Sequence, residues 1–247
     1  MKKILIAILT ISISSGSIAQ TKQTVRAEQL WTGFFNQTRV SSKWGFWLDA
    51  QLRTKDDFFK DLTVSIIRPG ITYYVNDALK LTAGYGYITQ YPQDNFSVSR
   101  PEHRPWQQVQ WHTRYGKNRT AQYFRLEERF RRMIAPDSTL TSGSNFNFRL
   151  RYNFLWQIPL GTLDLKKGDW SFILNDEVHV AFGKEVVYNY FDQNRFFAGF
   201  AYQLNSTDNL QLGYLNVFQQ LAAGNRYRSI HAARVFYFHN LDLRKKN

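Results

Sequence analysis

The chain has 247 residues, carries 32 Lys and Arg against 19 Asp and Glu for a formal net charge of +13, and contains no cysteine. The missing cysteines exclude a disulfide scaffold, thiol catalysis and a lipid-modified N-terminal cysteine. The basic excess invites nucleic acid, but the arginines stand singly on alternating positions rather than in one patch, so nucleic acid is set aside for anionic lipid head groups or anions held inside a lumen.

Residues 1–19 read as a secretory signal peptide, with basic Met1-Lys2-Lys3, an apolar run from Ile4 to Ile13, and small residues ending Ser17-Ile18-Ala19. The exported domain is then 20–247, a single unit. No later run reaches the roughly 18 apolar residues of a membrane-spanning helix. Mean hydropathy is −0.44, yet a transmembrane barrel escapes that test, because polar lumen positions cancel lipid-facing ones within each strand. An aromatic content of 17% suits the girdles of such a barrel.

The remainder divides into runs of period-2 alternation separated by Asn, Asp and Gly breaks, which predicts an all-β fold. Gln29 to Gln37 alternates poorly. Trp44 to Arg53 is clean, with Phe46, Leu48, Ala50 and Leu52 opposing Trp47, Asp49, Gln51 and Arg53. Leu62 to Val75 slips phase, which predicts a bulge near Ile66-Ile67 or Pro69-Gly70. It turns at Asn76-Asp77 into Leu79 to Tyr91. Trp106 to Tyr115 and Arg119 to Arg131 form a hairpin around Gly116-Lys117-Asn118.

Asn145 to Ile158 is the best patterned stretch: Phe146, Phe148, Leu150, Tyr152, Phe154 and Trp156 share one face, while Asn147, Arg149, Arg151 and Asn153 take the other. Trp170 to Phe182, Arg195 to Leu204, Asn209 to Gln219 and about Ser229 to Leu241 complete the set. Long connections at 92–105, 132–144, 183–194 and 220–228 alternate with short ones at 76–78, 116–118 and 205–208. That alternation predicts an antiparallel transmembrane β-barrel with long extracellular loops and short periplasmic turns, and an even count of about 12 strands, or 10 if the weak first run drops out.

Glu28-x-x-Trp31, the charged strand Phe124-Arg125-Leu126-Glu127-Glu128-Arg129-Phe130, Arg149-Leu150-Arg151-Tyr152, Asn175-Asp176-Glu177, Phe191-Asp192-Gln193-Asn194-Arg195 with Gly199-x-x-Tyr202, and Gly213-Tyr214 together resemble the DUF2490 family. The resemblance spans nearly the whole exported chain. It implies an outer-membrane barrel of Gram-negative bacteria, frequent in the Bacteroidota, and no particular activity. One departure is the C-terminus, which continues past the aromatic Phe238 into Arg244-Lys245-Lys246-Asn247.

The charged inner face is the candidate site. Arg125, Glu127, Arg129, Arg149, Arg151, Asn175, Glu177 and His179 fall on one phase of consecutive strands, where they either brace a filled polar core by ion pairing or line a narrow anion-attracting pore. An interior of this strand number is narrow enough to be packed, which favours bracing. Glu177 and His179, at i and i+2, are the pair to consider for acid–base work or a metal, but two ligands without a third, and no serine nucleophile motif, assign no catalytic or metal site. His103 is placed in a loop. The seven tryptophans are assigned to interfacial girdles. No cofactor is implied. The expected protein is thus an outer-membrane conduit or structural barrel, with an envelope-lipid enzyme centred on Glu177 and His179, or a soluble periplasmic barrel binding an apolar ligand, as the rival readings.

Overall fold

The computed structural model describes residues 22–55, 58–93, 97–161, 165–186, 190–222 and 225–244. The signal-peptide reading of 1–19 and the last three residues lie outside these. Eleven strands follow one another in chain order: β1 (Gln23–Arg39), β2 (Trp44–Lys55), β3 (Asp61–Tyr74), β4 (Leu79–Gln90), β5 (Arg100–Tyr115), β6 (Asn118–Ile134), β7 (Leu140–Pro159), β8 (Trp170–Phe182), β9 (Phe191–Gln203), β10 (Asp208–Gln220) and β11 (Arg226–Asp242). Each pairs with its neighbours and β1 pairs with β11, so the sheet closes into a barrel with no free edge.

The count corrects the expected twelve or ten. Residues 23–39 form one continuous strand, and the poor alternation of 29–37 reflects apolar residues on both faces, Trp31 and Phe35 lining the interior and Leu30 and Phe34 on the opposite phase. In an up-and-down meander of odd number the first and last strands run the same way. They must therefore close in parallel, and β1 does so along its whole length, from Gln23 opposite Arg226 to Arg39 opposite Asp242.

The connections also differ from expectation. Strands reach well into the segments expected as loops, so that only 135–139 joins β6 to β7 and only 221–225 joins β10 to β11. At the opposite end, 160–169 is longer than either. The end with the short turns at 75–78, 116–117 and 204–207 is still distinct, but the difference between ends is smaller than the sequence suggests.

The pleat sorts side chains cleanly. Phe46, Ile67, Ile71, Val109, Phe124, Leu150, Phe196, Phe200, Leu212 and Val235 are exposed on the outer surface, around the whole circumference. The phase slip in β3 is a bulge at Thr63: Arg53 pairs with Val64 but Thr54 pairs with Leu62. It lies a few residues earlier than predicted, and it turns Ile66 inward, where it is 4% exposed.

Two inward rings need glycine beneath them. Gly84 faces Gly70 across β3 and β4, and a Cβ at Gly84 would stand 2.8 Å from the Trp106 ring. Gly199 likewise faces Gly213, under the ring of Phe197, which would lie 2.6 Å from a Cβ there. Side-chain-free backbone lets each aromatic lie flat against the inner wall.

Candidate functional site

The interior has two unlike walls. On β1 and β8 to β11 it carries an apolar cluster containing Trp31, Ile173, Phe197, Leu215, Val217 and Ile230, over which the buried Arg234 guanidinium lies 3.3 Å from the Phe197 ring. From β2 to β8 it is charged. The divide follows the sequence: β10 and β11 put Leu215, Val217, Ile230 and Ala232 on their inner phase, while β6 and β7 put Arg125, Glu127, Arg129, Arg149 and Arg151 there.

Glu127 is the hub of the charged wall. Its side chain has no exposure, and four guanidiniums surround it. Arg151 Nη2 stands 2.7 Å from Oε1 and Arg68 Nη1 3.2 Å from the same oxygen, while Arg104 Nη1 is 3.3 Å and Arg149 Nη1 3.9 Å from Oε2. Arg68 also reaches Asp49 Oδ2 at 2.6 Å. Arg149 Nε reaches Asp192 Oδ2 at 2.5 Å. Carboxylates alternate with guanidiniums, so neither sign is left adjacent only to itself. A buried charge persists on that condition.

Toward the end bearing 91–99 and 135–139, Glu102 forms a second node. It receives Arg129 Nε at 2.6 Å and Arg104 Nη2 at 2.7 Å, with Gln90 Nε2 donating at 3.1 Å. On the other side of Glu127, Glu177 forms a third. Arg195 Nη1 lies 3.3 Å away, Arg151 Nη1 3.6 Å away and His179 Nε2 2.8 Å away, and the Tyr123 hydroxyl donates to its Oε1. Gln193 Nε2 sits 2.8 Å from His179 Nδ1. The amide donates there, which leaves the imidazole proton on Nε2, facing the carboxylate.

Arg125, Glu127, Arg129, Arg149, Arg151, Glu177 and His179 are all buried on the inner face, and Asn175 lines the same interior with its amide donating to the Phe154 carbonyl. Arg125 stands apart from the ion pairs: its Nε donates to Gln108, and its guanidinium lies 4.5 Å from the Trp106 ring. Glu177 and His179 are brought together, but Glu177 is already engaged by two arginines and a tyrosine. No group of three or more His, Asp and Glu suited to a metal occurs among the described residues.

Sequence reasoning missed Asp49, Arg68, Glu102, Arg104, Asp192 and Arg195 as members of this network. Asp49 and Arg53 were visible on the polar phase of β2. Glu102 and Arg104 were hidden because Pro101 and Pro105 read as loop, whereas β5 runs through both; pairing to β6 is interrupted at Pro105, between His103 and Trp106. His103 is accordingly on a strand and faces outward, its Nδ1 beside the Tyr85 hydroxyl. Three tryptophans are also inside rather than in girdles: Trp31 and Trp106 are buried, and Trp47 packs against Trp106 with ring centroids 6.3 Å apart.

A sequence profile described as "Protein of unknown function (DUF2490)" matches residues 28–228. The chain belongs to the DUF2490 family. The match takes in all three carboxylate nodes and every arginine named around them. An uncharacterized protein of Methylorubrum extorquens is 28% identical over 161 residues, 61% of this chain and 61% of that one. The chain thus matches less than two thirds of that relative's length. For this DUF2490 member the site itself, rather than any relative's name, carries the functional argument.

The interior holds two cavities of about 190 Å³ each. One lies toward the short-turn end, lined by Trp47, Asp49, Arg125, Glu177 and Phe238 among others. The second lies toward the opposite end, and Trp31, Arg151 and Arg195 border both. The layer around Glu127 fills the space beside them.

Proposed function

We propose that this protein is an outer-membrane β-barrel, exported by the signal peptide at 1–19, whose lumen is closed at rest by the Arg–Glu layer around Glu127. The observation that carries the location is the inversion of surface and interior: apolar side chains point outward around the whole circumference while guanidiniums and carboxylates point inward. A barrel in water would have no reason to bury its charges and expose its phenylalanines. The outward tryptophans Trp44, Trp111, Trp156 and Trp170 all lie near the short-turn end of their strands, as an aromatic girdle at one membrane interface requires. Its partners are then the outer-membrane lipids, with the short turns periplasmic.

The convergence of four arginines from β3, β5 and β7 on the buried Glu127 supports a braced barrel over a general-diffusion pore. A narrow anion conduit is the second reading, supported by the two cavities placed end to end. Conductance in a planar lipid bilayer separates them. Protein whose insertion is verified by heat-shifted gel mobility should give no stable steps. Discrete, anion-selective steps from the unmodified chain would overturn the closed reading, and a protein that stays soluble and folded without detergent would overturn the membrane reading itself.

A further inference from the structure

The cavity farther from the short turns has a composition unlike the rest of the interior. Its wall contains seven arginines and five glutamines and, among the described residues, no aspartate or glutamate. Five of the arginines are balanced from behind: Arg104 and Arg129 by Glu102, Arg149 by Asp192, Arg151 by Glu127 and Arg195 by Glu177. The other two, Arg53 and Arg228, form no ion pair with a described carboxylate. Among the described residues the wall therefore presents two guanidiniums that face the cavity without a carboxylate partner. Both are half-buried, with the Arg53 Nε wholly so, and partial withdrawal from water without a counter-charge is costly, a cost that an anion supplied from outside lowers.

The donors are fixed as well as charged. Trp31 holds the Arg53 guanidinium 3.6 Å and the Arg195 guanidinium 5.1 Å from its ring, and its own Nε1 donates to Gln29 Oε1 at 2.6 Å. Stacking positions a guanidinium by its face and leaves the N–H groups on its edge free for an oxyanion. The Nε–H groups of Arg53, Arg151 and Arg195 are buried without a hydrogen-bond partner. All three residues border the cavity, and glutamine amides supply further neutral donors around it.

Size and access set the class of ligand. A volume of about 190 Å³ exceeds the roughly 150 Å³ of an engineered cavity that takes benzene, so it admits a phosphoryl group with a small substituent but not a nucleotide. The cavity shares Gln90, Arg129, Arg149 and Gln219 with a recess of about 370 Å³, and Gln29, Thr63, Gln93 and Arg228 with another of about 660 Å³. Both lie at the end away from the short turns. We propose that this cavity is a binding site for a small dianionic oxyanion of the phosphoryl class, entering from that end and held by Arg53, Arg195 and Arg228. It rests on the lumen geometry alone, so failure of the membrane reading leaves it standing, and the reverse.

The test uses the full exported chain folded in a zwitterionic detergent at low salt, with folding checked by circular dichroism. Thermal unfolding is followed while orthophosphate is titrated, against chloride at matched ionic strength, and against a short-chain phosphatidic acid to separate a free phosphate from a lipid head group. Orthophosphate should raise the midpoint saturably and chloride should not. A shift from phosphatidic acid and none from orthophosphate would overturn the free-anion assignment. Arg53→Gln and Arg228→Gln should each weaken the phosphate response by about tenfold, as expected for loss of one charge-assisted donor. Arg228 is only half-buried, so its variant keeps the test decisive if Arg53→Gln fails to fold. An equal phosphate shift in Arg228→Gln and the unmodified protein, or an equal shift from chloride, would overturn the proposal and leave a cavity filled by ordinary counter-ions.

Discussion

The two walls of the lumen solve one problem by opposite means. On the apolar wall, Phe197, Leu215, Val217 and Ile230 fill space by contact, with Phe197 seated on the Gly199–Gly213 pair. On the charged wall the same space is filled by long guanidinium side chains threaded between carboxylates, with Glu127 at the centre. Apolar packing is local: each residue touches its neighbours and depends on shape. Ion packing is collective, because one carboxylate serves four arginines drawn from β3, β5 and β7. The apolar wall should therefore fail residue by residue and the charged wall as a unit.

The largest effect should follow from Glu127→Gln, which keeps the shape and removes the charge. Arg68, Arg104, Arg149 and Arg151 then face one another with a single negative centre gone. Breaking a buried pair in this way costs about 3–5 kcal/mol. The unfolding midpoint of the detergent-folded barrel should fall accordingly and should recover in part with added salt, since anions can replace the missing charge. A midpoint equal to that of the unmodified protein would mean that water, not Glu127, solvates these arginines.

Leu215→Ala tests the opposite wall. Leu215 is 3% exposed, and removing its outer atoms leaves a cavity worth about 2–4 kcal/mol. The loss should be the same at low and high salt. Measuring both variants across the same salt range gives the contrast directly, and a salt-dependent Leu215→Ala would erase the distinction between the walls.

How much of this was legible depended on which wall a strand serves. Residues 145–158 have polar inward and apolar outward positions, so period 2 exposed both faces at once, and the eight charged and polar positions read from such strands all point inward. β10 places Leu212 and Tyr214 outward but Leu215 and Val217 inward, and a strand apolar on both faces carries no alternation to read. The odd strand count was obscured for a related reason. Closure by a parallel pair depends on how β1 and β11 meet in space, and nothing in either segment alone records it. Glu102 and Arg104 were lost to a local rule: two prolines mark a loop unless their missing N–H groups fall where the ladder can spare them. The Trp31–Arg53 contact is of the same kind, since it needs the β1–β2 register as well as the residues.

The smallest effect belongs to an ion pair outside both walls. Asp77, in the turn 75–78, accepts Arg39 Nη1 at 2.5 Å with its own side chain 80% exposed. The hydrogen bond from Arg39, and then its charge, hold the Asp77 carboxyl below the usual carboxylate range. A depressed folded-state value means that the pair contributes stability above the unfolded carboxylate pKa and loses it as pH falls through the folded value. Asp77→Asn should therefore lower the midpoint slightly at neutral pH, by less at high salt, and not at all once the pH is acid enough to protonate the folded carboxyl. The chemistry is that of Glu127, a guanidinium on a carboxylate, with water on one side. Should Asp77→Asn match Glu127→Gln in size, burial would not be what gives the charged wall its weight, and the comparison between the walls would have to rest on geometry instead.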